Sequence, residues 1–268
     1  MQKITGANLS PTHSVIHTGM AMIFLAFLFG ACAESNRSSD ANPAAAPNTL
    51  TEEEQNGGWR LLFDGETFSG WRGLNRESVP AGHWVIEDGA IRKVASADVP
   101  SGTDGGDILF DEPFGNFELS FEWKVSPGAN SGIKYNVSEA MSSGHGALGF
   151  EYQILDNDRH PDAGNDPNRL AAGLYDLIPP GSNARLNPVG TWNSGRIVFN
   201  GSRGEHWLNG NLVLEYELGT YMMNRLLETS KWGDNPDFGV RRDTGRIVFQ
   251  DHSDEVWYRS IKIRELTP

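Results

Sequence analysis

The stretch Phe117–Val125 (FELSFEWKV) alternates apolar and polar side chains over nine residues without a break. Successive side chains of a β-strand point to opposite faces of a sheet, so this pattern predicts a strand with one apolar and one polar face. Five apolar side chains, including the indole of Trp123, are predicted to face a core. This is the clearest strand in the sequence, and it sets the inside and the outside of the predicted sheet.

Short segments of the same kind, separated by turn residues, continue along the chain. The dipeptide Asn209-Gly210 lies between two apolar segments and is a strong signal for a two-residue β-hairpin turn. Helical patterns cover only residues 168–172 and 224–231, which is too little for a structural layer. The other predicted strands are 59–63, 84–86, 90–92, 107–110, 131–137, 149–156, 195–200, 207–208, 212–214, 246–250 and 256–264.

This pattern predicts an all-β fold, an antiparallel sandwich of two sheets. The length of 268 residues allows one large domain or two small ones, and the evenly spaced strands favour one. The 31 glycines suit a fold with many tight turns. One sheet of such a sandwich often curves, and outward residues such as Glu122 and Glu151 are expected to meet on its concave polar face.

The charge of the chain limits its partners. The formal net charge is -13, and the sequence contains no cluster of lysines and arginines. Nucleic acids and anionic membrane surfaces are therefore disfavoured as partners, whereas neutral or cationic ligands are compatible with this charge.

The beginning of the chain resembles a bacterial lipoprotein leader. Residues 20–31 form an apolar run of 12 residues directly before Cys32, the single cysteine. The run is too short to span a bilayer but suits the core of a signal peptide. We expect residues 1–31 to be removed, Cys32 to carry the lipid, and residues 32–56 to form a disordered tether because they lack large apolar side chains. The folded domain, residues 57–268, is then extracytoplasmic and bound to a bacterial membrane only through this anchor.

The strand at residues 149–156 (GFEYQILD) carries the candidate site. Its alternation places Glu151 and Gln153 on one face and Tyr152 and Ile154 on the other. An acid beside an amide is compatible with a catalytic site and also with an ordinary solvated sheet face.

Nine short motifs follow one another between residues 57 and 268. They are Phe63-Asp64-Gly65 with Gly70-Trp71; Trp84 with Asp88-Gly89; 117–123; Asn130-Ser131-Gly132-Ile133; 149–156; Ala172-Gly173-Leu174-Tyr175; Gly190-Thr191-Trp192-Asn193; 206–210; and 245–252 with Arg259. In this order they resemble the 3-keto-disaccharide hydrolase family. The resemblance implies a concanavalin-A-like jelly roll, in agreement with the strand pattern, and cleavage of glycosides that carry a ketone at sugar carbon 3.

Such a substrate calls for a base, a donor to the enolate oxygen and a group that assists the leaving oxygen. The resemblance points to Glu151 as the base, and to His252 as proton donor, second base or metal ligand. A carboxylate on an aromatic-lined sheet is expected to have a raised pKa. The residues expected to bind the carbohydrate are Glu122, Asn130, Lys134, Gln153, Asp156, Tyr175, Trp192, Gln250 and Arg259.

Two other functions are compatible with the sequence. A conventional two-carboxylate glucanase needs a second acid near Glu151. Asp156 is five residues away and faces the other side of a regular strand, so a bulge, or Glu122 from another strand, would be required. A non-catalytic lectin-like module is the other alternative, since the eight tryptophans suit sugar stacking, although most tryptophans of a sandwich lie in the core.

A divalent cation is compatible with the loop 156–162, where Asp156, Asp158 and His160 are close in sequence. The loop departs from the calcium-loop pattern, and a turn with aspartate caps is the simpler interpretation. No motif for an organic cofactor is present, since the glycines near residues 102–106 do not match a phosphate-binding loop.

We predict that mature protein begins at Cys32 and that this cysteine carries lipid. Mass spectrometry of the protein from the membrane fraction measures both features. An intact N-terminus or an unmodified Cys32 contradicts the prediction.

Overall fold

The computed structural model describes residues 46–142 and 146–267. The strands are β1 (Arg60–Leu61), β2 (Trp71–Gly73), β3 (Trp84–Glu87), β4 (Ala90–Lys93), β5 (Ile108–Phe110), β6 (Phe117–Val125), β7 (Asn130–Ser138), β8 (Leu148–Leu155), β9 (Asn193–Asn200), β10 (Arg203–Leu208), β11 (Asn211–Glu217), β12 (Arg246–Phe249) and β13 (Val256–Glu265). The helices are α1 (Glu52–Asn56), α2 (Pro161–Asn165) and α3 (Tyr221–Thr229), and single 3-10 turns lie at Ser96–Asp98, Glu139–Met141 and Pro167–Arg169.

The strands form two antiparallel sheets, as predicted for a jelly-roll sandwich. Sheet A has the order β11-β10-β9-β6-β13-β4-β3, with β1 paired to β13. Sheet B has the order β2-β5-β12-β7-β8. Strand β6 therefore lies at the centre of sheet A, and β8 forms one edge of sheet B.

The inner faces of the two sheets build the core. All five apolar side chains of β6 are buried, and the exposed fraction of Trp123 is 1%. Phe121 of β6 meets Tyr152 of β8 edge-on, with 5.2 Å between ring centroids. The faces predicted from the alternation of β6 are confirmed, with one refinement. Glu118 points outward but is buried, because Arg196 and Arg264 cover its carboxylate.

The predicted hairpin at Asn209-Gly210 is present, and a second one joins β3 to β4. Asp88 and Gly89 join β3 to β4 with φ angles of 50° and 72°, and Asn209 and Gly210 join β10 to β11 with φ angles of 48° and 80°. Two consecutive left-handed residues are what a tight type I′ hairpin turn requires, and Asn, Asp and Gly adopt that conformation most readily.

The folded domain begins earlier than predicted. Helix α1 starts with a capping box between Thr51 and Glu54, and Glu54 forms an ion pair with Lys262. The Asn48 amide donates to the Gly89 carbonyl over 2.8 Å and accepts from the Ser260 N–H over 2.8 Å. The predicted tether 32–56 is therefore wrong for residues 48–56, because polar contacts rather than apolar burial attach this segment.

The predicted signal peptide and the lipidated Cys32 lie outside the described residues. Within the described part of the chain, no helix combines the length and the apolar character needed to cross a membrane.

We expect Trp123→Ala to lower the free energy of unfolding by about 3 to 5 kcal/mol, because it leaves a cavity between the sheets. Glu122→Gln is the matched neighbour on the outer face, where Arg259 and Ser260 contact the partly exposed carboxylate. Its effect is expected to be about 1 kcal/mol or less. Thermal and denaturant unfolding measure both, and the reverse ranking of the two variants contradicts the face assignment.

Candidate active site

The candidate site lies on the outer face of sheet B. Phe150, Tyr152 and Ile154 of β8 enter the core, so Glu151 points outward, as predicted from the alternation. Its cross-strand partner on β7 is the buried Lys134. A Cβ atom at Gly132 would lie 2.2 Å from Glu151 Oε1, so any larger residue at this position would overlap the carboxylate.

Glu151 lines a small cleft of about 50 Å³. The strands contribute three polar side chains to the lining, and the loops contribute four more. The lining residues are Asn130, Glu151, Gln153, Tyr175, Lys231, Gln250 and His252. Six of these seven residues were predicted from the sequence, and the structure brings them together.

Tyr175 reaches the cleft because its segment pairs with the edge of β8. The Ala172 N–H donates to the Gln153 carbonyl over 2.8 Å, and the Tyr175 N–H donates to the Glu151 carbonyl over 3.0 Å. Lys231 Nζ donates to the Tyr175 hydroxyl over 3.0 Å. The hydroxyl in turn donates to Asp162 Oδ2 over 3.2 Å. Tyr175 is thus held in place by its backbone and by its hydroxyl.

Burial raises the pKa of Glu151 above its ordinary value, and the charge of Asp107 adds to this effect. The cations Lys134, Lys231 and His252 act in the opposite direction without cancelling it. Desolvation is therefore the larger effect at this carboxylate. A carboxylate with a raised pKa is a stronger base at neutral pH than an ordinary glutamate.

A buried charge network lies behind the cleft. Lys134 Nζ is 4.0 Å from Asp107 Oδ2, and both side chains are nearly inaccessible. Asp107 Oδ1 accepts from the Asp251 N–H over 2.9 Å, and the Asp251 carboxylate pairs with Lys93 over 3.1 Å. Lys134 is thus within ion-pair distance of Asp107, although Asp107 Oδ2 has no hydrogen-bond partner and burial raises the pKa of this carboxyl group. Lys134 therefore lies between two buried carboxyl groups, Asp107 and its cross-strand partner Glu151.

Sequence reasoning missed Lys231, Asp107, Asp251 and Lys93. Lys231 lies two residues after the end of α3 and carries no motif, and it is placed by the hydrogen bond of its N–H to Asp176 Oδ2 at 2.7 Å. The three others are single charged residues at strand ends. Only the long-range pairing of the strands brings them together, so no local signal reveals them.

Three predicted binding residues lie elsewhere. Glu122, Trp192 and Arg259 are on the outer side of sheet A, where Arg259 pairs with Glu122 over 2.9 Å and lies 4.0 Å from the Trp192 ring centroid. The expectation that Glu122 and Glu151 share one concave face is wrong, because the core separates the outer faces of the two sheets. Alternation tells inward from outward but does not tell which sheet a strand joins.

Asp156 is a turn cap, not part of the cleft. Its Oδ2 accepts from the Gly128 N–H over 2.8 Å and its Oδ1 accepts from the Asp158 N–H over 3.0 Å. The side chain is 1% exposed. These contacts agree with the simpler interpretation of this segment as an aspartate-capped turn.

A different set of residues is able to approach a cation. His160, His252 and Asp254 offer ligand atoms within 4.8 Å of one another, and this is the one such group among residues 46–142 and 146–267. His160 Nδ1 accepts from the Asp162 N–H over 3.2 Å, which places the ring proton of the neutral imidazole on Nε2. His252 Nδ1 lies 3.7 Å from Asp254 Oδ2, which also accepts from the Asn130 N–H. Of the three residues that the sequence made compatible with a cation, Asp156, Asp158 and His160, this group contains only His160.

Fold and site together define an antiparallel jelly-roll sandwich with a polar cleft around a buried carboxyl group on one sheet. The chain belongs to the family described as the 3-keto-alpha-glucoside-1,2-lyase-like domain, whose model matches residues 58–264. The family resemblance carried by the nine motifs is confirmed.

Similar proteins agree with this assignment. A 3-keto-disaccharide hydrolase of Bacteroides thetaiotaomicron is 42% identical over 232 residues, which cover 78% of this chain and 79% of the relative. Two crystal structures of putative glycosyl hydrolases from Parabacteroides distasonis are similar in fold. The first has a TM-score of 0.72 and 30% identity, covering 83% of this chain and 100% of its own. The second has a TM-score of 0.57 and 24% identity, and the match covers 78% of this chain and 99% of the second structure's chain.

The raised pKa of Glu151 has a consequence for stability. A carboxyl group whose pKa is higher in the folded than in the unfolded chain stabilises the fold at low pH, and this contribution is lost as the pH rises through the folded pKa. Glu151→Gln replaces the titrating carboxyl group by an amide, so the variant does not lose stability in this way as the pH rises. We expect the melting temperature of this variant, relative to the unmodified protein, to increase as the pH rises from below 4.5, the ordinary glutamate value, to above neutrality.

Glu205→Gln is the matched control, because Glu205 lies in sheet A and accepts from Trp207 Nε1. It is expected to show no such increase. Thermal melts of both variants across the pH range provide the comparison, and a Glu151→Gln difference that is constant or falls with pH contradicts the prediction.

Proposed function

We propose that this protein cleaves 3-keto-glycosides, 3-keto-disaccharides among them, with Glu151 as the base that removes the proton from sugar carbon 2. The observation that carries the proposal is the position of Glu151 in a cleft where burial raises its pKa although two lysines are close. Membership of the family and the activity named for the Bacteroides relative support the same substrate class.

The ketone at carbon 3 makes this reaction accessible to a carboxylate, because it acidifies the hydrogen on carbon 2. Glu151 takes that proton, and the electron pair of the C–H bond forms the enolate. When the ketone re-forms, a double bond forms between carbons 1 and 2 and the glycosidic oxygen leaves with its electron pair, taking a proton. Water then adds its oxygen to carbon 1 and gives one proton to the group that protonated the leaving oxygen, while Glu151 returns its proton to carbon 2.

The lysines have a role that changes during the reaction. Lys134 and Lys231 both attract the ionised Glu151 before proton transfer. Once Glu151 is protonated, negative charge develops on the enolate oxygen, and the same cations are available to stabilise it. Such fixed charges lower the barrier because they do not have to reorient when the charge moves.

His252 is the proposed donor to the leaving oxygen. It lines the cleft at its accessible side, with 44% of its side chain exposed. Asp254 lies beside its Nδ1 and is itself fixed by the Asn130 N–H. An imidazole next to a carboxylate is suited to giving and taking a proton near neutral pH.

The two alternative functions have less support. The second acids considered for a two-carboxylate glucanase do not meet Glu151, since Asp156 caps a turn and Glu122 lies on sheet A. A lectin-like module has no need for a carboxylate that is desolvated at a cost in stability, whereas a base does. Lipid anchoring at Cys32 and an extracytoplasmic location are separate proposals.

Incubation with a 3-keto-disaccharide and with its unoxidised parent tests the proposed function. We expect cleavage of the 3-keto-disaccharide and no cleavage of its unoxidised parent. Cleavage of both supports a glucanase, and binding of either without cleavage supports a lectin-like module. A parallel incubation with a chelator shows whether the group around His252 acts with a cation.

We expect Glu151→Gln to retain the fold and substrate binding but to lower the cleavage rate about 10²- to 10⁴-fold, because an amide cannot accept the carbon-2 proton. Glu205→Gln should retain activity. Deuterium at carbon 2 should exchange with solvent or show a primary isotope effect with the unmodified enzyme. Full activity of Glu151→Gln removes Glu151 as the base and transfers the role to His252.

A further inference from the structure

A larger hollow lies next to the cleft. Its volume is about 510 Å³, and it is lined by Lys231, Trp232, Asp234, Asn235 and Pro236. Lys231 lines the cleft as well, so the two spaces share one lining residue. The hollow therefore adjoins the position where Glu151 acts.

The sizes of the two spaces indicate how a glycoside is divided between them. The cleft, at about 50 Å³, accommodates only the reacting part of a substrate, whereas ordinary ligand pockets measure about 300 to 1,000 Å³. The remainder of a disaccharide has to lie outside the cleft. The hollow is in the range of a ligand pocket and is the adjacent space that also touches Lys231.

The walls of the hollow are held in place by their own contacts. The Trp232 N–H donates to Ser230 Oγ over 3.2 Å, and the Trp232 carbonyl accepts from the Asn235 N–H over 2.8 Å. The indole packs against Phe238 with 6.0 Å between ring centroids. A Cβ at Gly233 would come within 2.2 Å of the Glu228 carbonyl oxygen, so the turn is packed closely against the end of α3.

The chemistry of the lining matches a neutral sugar. A pyranose ring offers an apolar C–H face and a rim of hydroxyl groups. Trp232 provides a large, rigid apolar surface, and the exposed Asp234 provides an acceptor for hydroxyl groups. A pocket that combines an aromatic ring with a few polar groups is the usual form of a small-ligand site.

We propose that this hollow binds the leaving group of the substrate as a second sugar ring, with Trp232 against its apolar face and Asp234 accepting from its hydroxyls. The proposal rests on the proposed function and adds a specificity to it. A disaccharide occupies the cleft and the hollow together, whereas a glycoside with a one-carbon leaving group occupies the cleft alone. Trp232 is then a specificity-determining residue rather than a catalytic one.

The test compares kcat/KM for a 3-keto-disaccharide and for the methyl glycoside of the same 3-keto sugar. Trp232→Ala also removes the contact of Lys231 Nζ with the indole, 5.0 Å from its ring centroid, so some loss of kcat/KM is expected for both substrates. The loss is expected to be about tenfold greater for the disaccharide than for the methyl glycoside. Trp232→Phe, which keeps an aromatic ring against Phe238, is expected to retain most of the activity on the disaccharide. Trp257→Ala is the control, because Trp257 lies on β13 and contacts Lys124 and Arg92.

Equal losses for the two substrates in Trp232→Ala overturn the proposal, since they show a structural role. Unchanged activity on both also overturns it. If the unmodified protein cleaves neither substrate, the proposed function fails, and calorimetric binding of the same 3-keto-disaccharide still decides the subsite. Binding about tenfold weaker in Trp232→Ala than in Trp257→Ala supports the subsite, and equal binding overturns it.

Discussion

The contact between the aromatic inner faces of the two sheets is the constraint on which the rest of the molecule depends. Tyr152 of β8 enters the core between Phe121 and His206, at centroid distances of 5.2 Å and 4.8 Å. Because side chains alternate along a strand, burying Phe150 and Tyr152 forces Glu151 to the outside. A shift of β8 by one residue would exchange core and cleft, so packing enforces the register that positions the proposed base.

A series of hydrogen-bonded polar groups inside the core also positions one wall of the cleft. His206 Nδ1 donates to the Ala172 carbonyl over 3.1 Å, and because a carbonyl only accepts, Nε2 must accept from the Tyr135 hydroxyl over 2.8 Å. Burial lowers the pKa of His206 to about 3, so the imidazole is neutral. Ala172 has a φ of 67°, an unfavourable conformation for alanine, and it begins the segment that carries Tyr175. The core therefore holds the strained end of the segment that closes one side of the cleft.

Features with a local pattern could be predicted from the sequence, whereas features that depend on the pairing of distant strands could not. The alternation of β6 and β8 and the dipeptide Asn209-Gly210 predicted strands, faces and a hairpin, because each signal is local. Placing Glu122 with Glu151 required knowing which sheet each strand joins, and alternation does not contain that information. Lys231 was missed for the same reason, since a backbone hydrogen bond to Asp176, 55 residues away, places it.

The folded segment before β1 is a different case, because a local signal was present. The residues Thr51 and Glu54 have the spacing of a capping box, which predicts a helix start even where no apolar residue is buried. Composition pointed to disorder because it measures only apolar burial. Asn48 shows the physical alternative, since one amide joins the Asp88-Gly89 turn to Ser260 and secures the segment without any core contact.

The charges around Glu151 affect both the stability of the fold and the proposed reaction. Two opposing effects act on Glu151: burial disfavours its charge, and Lys134 and Lys231 favour it. If the cations dominated, Glu151 would be a weak base locked in ion pairs, and if burial acted alone, the group would remain protonated and unable to accept a proton. A raised pKa with two lysines close by suits a carboxylate that acts as a base. In the proposed reaction, the same two lysines face the anion that the proton transfer creates, so one pair of fixed charges acts on the cleft before and after the transfer.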